Sequence, residues 1–338
     1  MSDDSITMEM TVAEIHNISK ACLIVNGCDE ANANAIATTV SMAERDGATS
    51  HGLFRIPGYV QSMRSGKVNG KANPKVHIIT PAVIRVDGDG GYTPLALHKG
   101  IPLLAQAAKA IGIASMTIIN TYHFAALWPE TEAIADYDLA GLACTAYKPV
   151  VVPAGAKEAL FGTNPLSFSW PRPGKTPMVY DMATAAKSLG DLYIAVRDGQ
   201  TVPLGTGLDA DGNPTTDPRK ITDGGVILPF GGYKGSAICM MVELLSAGVV
   251  GENFSFEAAM TDNSDGGPAR GGEFLIAISP ELIAGAGWQT HSENFFDRLT
   301  RIEGAYLPGH RRHMNRLSDA PRQVNAALVE TIKELSQG

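Results

Sequence analysis

The chain has 338 residues, a formal net charge of −8 and 44% hydrophobic residues. This length is sufficient for one large domain or two modest ones around a substantial core. The acidic balance argues against nucleic acid as the main partner, because binding a phosphate backbone requires a basic face. Local basic clusters can still hold one small anion.

Neither the N-terminus nor the cysteines suggest an exported or membrane-bound protein. The first five residues are polar and acidic and lack the order of a signal peptide. No apolar run is long enough to span a bilayer, so no membrane partner is expected. The cysteines form no C-x-x-C pair and are typical of reduced, buried thiols, which predicts a cytoplasmic protein without a structural zinc: Cys22, Cys28, Cys144 and Cys239.

The beginning of the chain predicts helices. Residues 11–14 form a capping-box pattern, and Gly27 is a plausible end for the helix that follows. A second helix is predicted from about Glu30 to Arg45, and a third over residues 57–63.

An alternating region follows. Residues 74–87 predict one strand that closes on a Gly/Asp-rich turn. Beyond it the sequence predicts helices at 95–111, from 128, and at 233–250, and strands at 113–119, 139–145, 166–170, 178–180 and 273–278. Residues 201–223 and 262–272 are expected to be long surface loops, and 294–302 and 324–335 to be helices. The pattern predicts an α/β body with a helical cap from both termini, which we divide as 1–72 with 292–338, and 73–291.

A candidate site follows the second predicted helix. Ser50, His51 and Arg55 lie within six residues of one another. An imidazole can transfer a proton near neutral pH, and a guanidinium one helical turn further on can hold a carboxylate in a fork. The stretch therefore predicts a site that binds a small acid and protonates it.

The usual nucleotide-binding signatures are absent. The sequence has no G-x-G-x-x-G after a strand and no G-x-x-x-x-G-K-[ST], so an ordinary dinucleotide-binding fold is disfavoured. Three other turns contain small or basic residues that can approach a phosphate: 162–165, 230–236 and 308–313. His310 and His313 have a metal-ligand spacing, but no acidic ligand is near in sequence, and no metal site is expected.

Six motifs in order resemble the malate/L-lactate dehydrogenase family, a non-Rossmann group of NAD(P)H-dependent oxidoreductases. They are Ser50-His51-Gly52 with Arg55, His123-Phe124, Gly162-Thr163-Asn164-Pro165, Asp181-Met182-Ala183-Thr184, Gly232-Tyr233-Lys234-Gly235 and Leu307-Pro308-Gly309. Stretches such as Arg45-Asp46-Gly47, His123 to Pro129 and Gly190-Asp191 are most similar to the delta-1-piperideine-2-carboxylate/delta-1-pyrroline-2-carboxylate reductases of that family. Tyr233 departs from the His expected in this subgroup, and His310 from the common Glu.

The resemblance implies roles for individual residues. His51 would be the proton donor, Ser50 and Asp191 its relay partners, and Arg55 the residue that holds the substrate carboxylate. It also implies a mixed-sheet NAD(P)-binding body, a homodimer, and NADPH as cofactor with NADH as the alternative. The cofactor would contact His123, Phe124, Ala125, Ala126, Leu127, Thr163, Asp181, Met182, Ala183, Thr184, Gly190, Tyr233, Lys234, Tyr306, Leu307, Pro308, Gly309, His310, Arg311 and Arg312.

The implied activity is NADPH-dependent reduction of delta-1-piperideine-2-carboxylate to L-pipecolate and of delta-1-pyrroline-2-carboxylate to L-proline. A 2-oxo acid presents the same carboxylate with oxygen in place of nitrogen, so a malate/L-lactate-type 2-hydroxy acid dehydrogenase is the alternative. A hydrolase is disfavoured, because Ser50 and His51 are adjacent and no G-x-S-x-G surrounds Ser50. A binding protein without catalysis is the third option.

Overall fold

The computed structural model describes residues 6–122 and 125–337. Its strands are β1 (Thr7–Met10), β2 (Lys75–Thr80), β3 (Val83–Tyr92), β4 (Ile113–Tyr122), β5 (Ala140–Thr145), β6 (Leu166–Trp170), β7 (Met178–Met182), β8 (Gly207–Leu208), β9 (Pro214–Thr215), β10 (Val226–Ile227), β11 (Arg270–Ile278) and β12 (Arg322–Asn325). Its helices are α1 (Val12–Val25), α2 (Glu30–Arg45), α3 (Ile56–Arg64), α4 (Thr93–Ile111), α5 (Trp128–Ala135), α6 (Leu189–Arg197), α7 (Pro218–Thr222), α8 (Tyr233–Glu243), α9 (Ser255–Thr261), α10 (Pro280–Ala284), α11 (Trp288–Thr300), α12 (His310–Arg316) and α13 (Ala326–Leu335).

The two ends of the chain form one helical layer. The capping box at Thr11 starts α1, and the Asp29 side chain accepts the Asn32 backbone N–H at the start of α2. Strand β1 pairs antiparallel with β12, which brings α13 against the N-terminal helices. One hydrophobic cluster joins both ends through buried side chains such as Ile15, Ile36 and Val329. The predicted helical part built from both termini is therefore confirmed.

The body is a seven-stranded sheet in the order β2-β3-β4-β11-β5-β6-β7. Strands β3 and β4 are parallel, and the other neighbours are antiparallel. Helix α4 packs on β3, β4 and β11, and buried residues such as Leu104, Met116 and Leu275 form the second hydrophobic cluster between them. The sheet is mixed, as the fold-class prediction requires: β3, α4 and β4 form a parallel βαβ unit, but the antiparallel neighbours distinguish this sheet from the parallel sheet of a Rossmann domain.

Several predicted element bounds are wrong for local reasons. The single strand expected over residues 74–87 is a hairpin of β2 and β3, and β3 continues through the Gly/Asp-rich turn to Tyr92, with Asp89 at φ 56° in an irregular stretch. The region 201–223, expected to be a loop, contains the short strands β8 and β9 and the helix α7. Helix α7 begins here because the Asp217 side chain accepts the Arg219 N–H at its start. The last helix begins only at Ala326, because the preceding residues pair in β12.

Candidate functional site

Two single 3₁₀ turns, Thr49–His51 and Leu53–Arg55, carry the predicted catalytic residues between α2 and α3. The Ser50 Oγ lies 3.1 Å from the Nδ1 of His51. Ser50 is buried and His51 is half-buried, so the hydroxyl fixes the ring orientation from the protein side while the ring reaches a cleft. The structure thus gives Ser50 and His51 the geometry expected of a proton-transfer pair.

Helix α6, which was not predicted, brings Gly190 and Asp191 to these turns. The Ser188 side chain caps the helix by accepting the Asp191 N–H at 3.1 Å. A Cβ placed on Gly190 would lie 2.9 Å from the Arg55 Nη2 and 3.2 Å from the Ser50 Cβ. Glycine is therefore required for α6 to approach both residues, and the predicted Asp191 begins the same helix turn.

The cleft in front of these turns has a volume of about 570 Å³. Five predicted residues line it: His51, Arg55, Ala125, Thr163 and Gly190. Seven further lining residues with polar or charged groups were not predicted: Thr145, Tyr147, Lys148, Ser188, Tyr193, Asp262 and Ser264. The position of Tyr147 and Lys148 directly after strand β5 was the available signal, because functional groups concentrate where strands end.

Tyrosine side chains and Asp191 surround the Arg55 guanidinium. Burial lowers the pKa of Arg55, while negative potential from Tyr147, Tyr59 and Asp191 opposes that shift. Arginine stays protonated throughout the physiological range. The cleft therefore contains a fixed cation within reach of the imidazole, as required for binding an acid.

A second group of predicted residues lies along β7, which is an edge strand of the sheet. The Asp181 carboxylate accepts the backbone N–H groups of Leu127 and Trp128, at 2.8 and 3.0 Å. It therefore holds the start of α5 and the segment from Ala125 to Leu127. Burial raises the pKa of Asp181 to about 6, and these two hydrogen bonds oppose the shift.

The segment 306–312 covers the other side of β7. The Val179 N–H donates to the Pro308 carbonyl at 3.2 Å, and the Arg312 Nη2 donates to the Val179 carbonyl at 2.9 Å. The Arg312 guanidinium also lies 5.1 Å from the centre of the Trp128 ring. Tyr306, His310 and Arg311 are exposed, whereas Leu307, Pro308 and Gly309 are half-buried.

The loop that follows β7 packs beside the start of α8. Thr184 is fully buried, and its hydroxyl donates to the carbonyl of Asn164 at 2.9 Å, so it supports the turn at Thr163 from inside. The Phe230 N–H donates to the Thr184 carbonyl, which places the Gly232-Tyr233-Lys234 start of α8 beside this loop. Met182, Tyr233 and Lys234 are exposed, and Ala183 is half-buried.

The remaining predictions concern His123 and Phe124, the pair His310 and His313, and metal or membrane binding. His123 and Phe124 lie outside the described residues. His310 and His313 do not form a joint site, because His310 is exposed and the buried His313 Nε2 lies 3.2 Å from Glu132. Within 6–122 and 125–337, no cluster of three or more His, Cys, Asp or Glu has metal-binding geometry, and no helix is long and apolar enough to cross a membrane.

Comparisons with known proteins agree over nearly the whole chain. A family model for malate/L-lactate dehydrogenase matches residues 10–333. The chain is 42% identical over 335 residues to the Delta(1)-pyrroline-2-carboxylate/Delta(1)-piperideine-2-carboxylate reductase of Pseudomonas syringae pv. tomato, covering 98% of both proteins. It is 39% identical over 331 residues to the Delta(1)-pyrroline-2-carboxylate reductase of Pseudomonas fluorescens, covering 96% of this chain and 98% of the other.

Solved structures show the same similarity. The crystal structure of delta1-piperideine-2-carboxylate reductase from P. syringae pv. tomato superposes with a TM-score of 0.92 at 41% identity, covering 97% of this chain and 100% of that chain. Sulfolactate dehydrogenase from Methanocaldococcus jannaschii superposes with a TM-score of 0.87 at 28% identity, covering 98% and 97% of the two chains.

Proposed function

The chain belongs to the malate/L-lactate dehydrogenase family of oxidoreductases, and from that membership we propose that it reduces cyclic imino acids at C2 with a nicotinamide cofactor. The substrates are delta-1-piperideine-2-carboxylate and delta-1-pyrroline-2-carboxylate, and the products are L-pipecolate and L-proline. The observation that carries the proposal is the joint position of His51 and Arg55 at one cleft, with the Ser50 Oγ at the His51 Nδ1, in a chain about 40% identical to named imino acid reductases.

Arg55 holds the substrate carboxylate in this mechanism. Its planar guanidinium donates two parallel hydrogen bonds to a carboxylate. This pair of bonds fixes the orientation of the substrate ring as well as its distance from Arg55. Gly190 leaves room for the Arg55 guanidinium, because a Cβ at this position would lie 2.9 Å from its Nη2. The first task of the site is therefore orientation of C2.

His51 manages the proton that the ring nitrogen requires. The Ser50 hydroxyl at Nδ1 orients the imidazole, and we assign Asp191 as the second relay partner of His51. The nicotinamide, when bound, supplies a hydride to C2. His51 donates its proton to the imine nitrogen, so that the C=N bond gains a proton at nitrogen and a hydride at C2 and the product is a secondary amine.

The residues present fit a dinucleotide. Gly231 and Gly232 have φ values of 57° and 63°, and a Cβ on either would meet no atom within 4 Å. They therefore leave the backbone at the start of α8 open, where a helix N-terminus and Lys234 attract a phosphate. The exposed Arg311 favours NADPH over NADH, because the adenosine 2′-phosphate of NADPH is an additional anion.

The proposal includes the wider organisation of the enzyme. We assign residues 1–72 with 292–338 to a helical domain and 73–291 to the cofactor-binding domain, with a homodimer as the functional unit. The four cysteines are buried free thiols, which fits the reducing environment of the cytoplasm. Sedimentation equilibrium of the purified protein tests the oligomeric state directly.

A substrate panel tests the function. We expect NADPH absorbance to fall with both cyclic imino acids, and kcat/KM for the better imine to exceed that for pyruvate and oxaloacetate. The His51→Ala variant is the control for the site and should lose about a hundredfold or more in kcat while retaining NADPH binding. Faster turnover of the 2-oxo acids would make the chain a 2-hydroxy acid dehydrogenase, and hydrolysis of an ester without cofactor would remove the reductase proposal.

A further inference from the structure

Four charged side chains form a compact cluster at one side of the cleft, which we call the lysine–aspartate cluster: Lys67, Lys148, Asp262 and Asp265. Asp262 contacts both lysines, with its Oδ1 3.1 Å from the Lys67 Nζ and its Oδ2 2.7 Å from the Lys148 Nζ. Asp265 lies 2.6 Å from the Lys67 Nζ. The carboxylates of Asp262 and Asp265 are almost fully buried, with side chains 5% and 7% exposed, so these ion pairs are little screened by solvent.

Two members of the cluster line the cleft. Lys148 and Asp262 line the same cleft as Arg55, and the Tyr147 side chain lies within electrostatic range of all three. Lys67 and Asp265 do not line the cleft but fix the segment that carries Asp262 to the end of α3, where the Ser65 hydroxyl donates to Asp265 at 2.8 Å. The cleft therefore contains a second cation besides Arg55, the Lys148 ammonium, and its charge is already neutralised by the ion pair with Asp262.

Both partners of the central pair are ionised. Burial disfavours the charged form of Asp262, but hydrogen bonds from Lys148 and Lys67 outweigh this and lower its pKa. Burial likewise disfavours charged Lys148, whereas Tyr147 and Asp262 raise its pKa overall. At neutral pH the Lys148 ammonium is therefore charged and satisfied.

We infer that the Lys148–Asp262 ion pair selects monocarboxylic substrates against dicarboxylic ones. The inference rests on the proposed function, because it concerns the substrate that Arg55 binds. A substrate with a second carboxylate on its ring would meet in Lys148 a cation already bonded to Asp262, and the Asp262 charge would repel it. Selectivity of this kind arises from a repulsive element as much as from an attractive one.

Removing the charge of Asp262 tests the inference. In Asp262→Asn, Lys67 keeps Asp265, while Lys148 loses the carboxylate that contacts it. We expect the ratio of kcat/KM for delta-1-piperideine-2,6-dicarboxylate to that for delta-1-piperideine-2-carboxylate to rise about tenfold or more. The matched control is Asp265→Asn, which removes a carboxylate from the same cluster without touching Lys148 and should leave the ratio unchanged.

A double variant identifies the responsible cation. Asp262→Asn with Lys148→Met should return the ratio to the wild-type value, since no ammonium then remains for the second carboxylate. An unchanged ratio in Asp262→Asn, an equal rise in Asp265→Asn, or a rise that persists in the double variant would each overturn the inference. Thermal melting and NADPH titration confirm that every variant is folded before its ratio is used.

The kinetics of the wild-type enzyme distinguish a failure of the proposed function from a failure of the ion-pair inference. If the wild-type enzyme reduces 2-oxo acids and neither imine, the imine assignment is wrong. The same variants then report on the ion pair through oxaloacetate and pyruvate, which differ in the same way by one carboxylate. A rise in the ratio of kcat/KM for oxaloacetate to that for pyruvate in Asp262→Asn alone still supports selection by the Lys148–Asp262 ion pair. If this ratio does not rise, the inference is overturned.

Discussion

At the residue scale, the proposed function makes Arg55 the side chain that holds the substrate carboxylate. Arg55→Lys keeps the charge but loses the fork, and we expect KM to rise about tenfold with a smaller effect on kcat. Arg55→Met removes the charge as well and should lower kcat/KM by about a hundredfold or more. Steady-state kinetics with one imine and saturating NADPH measure both. A substrate amide that reacts as well as the acid would show that no carboxylate is held here.

The two neighbouring arginines at the start of α12 differ in their surroundings, and this separates their roles. Arg311 is exposed, whereas Arg312 lies over Trp128 and donates to Val179. We expect Arg311→Ala to weaken NADPH about tenfold and NADH much less, with the difference shrinking as salt rises. Arg312→Ala should weaken both cofactors, because it disturbs packing on β7. If Arg311→Ala weakens NADPH and NADH binding equally, Arg311 contacts the pyrophosphate that both cofactors share. A wild-type preference for NADH would reject a contact of Arg311 with the 2′-phosphate.

Glu44 gives the active-site turns a pH dependence. Its Oε1 accepts the Leu53 N–H at 2.8 Å, and burial raises the pKa of Glu44 from 4.5 to about 7. The folded state thus binds more protons than the unfolded state in this interval, so the stabilisation is complete below about pH 4.5 and is lost as the pH rises through about 7. Glu44→Gln should remove this loss, which is about 3 kcal/mol at most.

Urea unfolding of the wild type and Glu44→Gln at about pH 5 and about pH 8 measures the effect. The free energy of unfolding of the variant, relative to that of the wild type, should increase with pH. The exposed Glu334→Gln serves as control and should follow the wild-type curve. Parallel curves for Glu44→Gln and the wild type would mean that Glu44 titrates alike in the folded and unfolded states.

The sequence predicted the local part of the site and missed the part made by folding. Ser50, His51 and Arg55 lie in one short stretch, so their types and spacing already imply proton transfer and carboxylate binding. Lys148 and Asp262 belong to distant segments, and their pairing exists only after β5 and the loop before β11 are packed together. Periodicity and propensity contain no information about such a pair.

At the scale of elements, edge strand β7 organises the predicted cofactor segments, and Asp181 connects it to α5. Asp181→Ala removes the acceptor for the N–H groups of Leu127 and Trp128, which should destabilise the protein by about 2 kcal/mol and weaken NADPH binding. The control is Asp217→Ala, which removes the cap of α7 and should leave the NADPH dissociation constant unchanged. Unaltered NADPH binding in Asp181→Ala would show that the start of α5 does not contribute to the cofactor site.

Elements with strong periodicity were predicted well, and short ones were not. Helix α1 begins at the predicted capping box, and α2 has the predicted bounds Glu30–Arg45, because the signals for both are local. Helix α6, which carries Gly190 and Asp191, was missed although its start has a local signal: the Ser188 side chain caps it by accepting the Asp191 N–H.

At the scale of the whole molecule, the helical layer and the body are joined by charged contacts as well as by packing. The Arg316 Nη2 contacts Asp46 at the end of α2 at 2.6 Å and Glu132 in α5 at 2.8 Å. The fold class followed from helical ends around an alternating middle, since that pattern reflects the separate hydrophobic clusters of the two parts. In the proposed division into 1–72 with 292–338 and 73–291, Arg316 and Asp46 belong to the first part and Glu132 to the second, so the Arg316–Glu132 ion pair joins the two parts.

Tyr92 joins the sheet to the helical layer directly beside the site. It ends β3, its hydroxyl donates to the Tyr59 carbonyl at 2.6 Å, and the two rings meet edge to face at 4.7 Å. Tyr59 lies in α3 one turn after Arg55, so the contact also supports the turn that carries Arg55. Tyr92→Phe keeps the ring and leaves the buried carbonyl without this donor, which should cost about 1–2 kcal/mol and raise KM for the imine.

Urea unfolding followed by fluorescence and circular dichroism tests this coupling. Both signals should give one coincident transition, shifted to lower urea in Tyr92→Phe, because the Tyr59–Tyr92 contact makes the two layers unfold together. Tyr137→Phe, at a side chain that is 36% exposed, is the matched control and should shift the midpoint little. Two separate transitions in the wild type, or equal shifts in the two variants, would show that the helical layer and the sheet are stable independently of this contact.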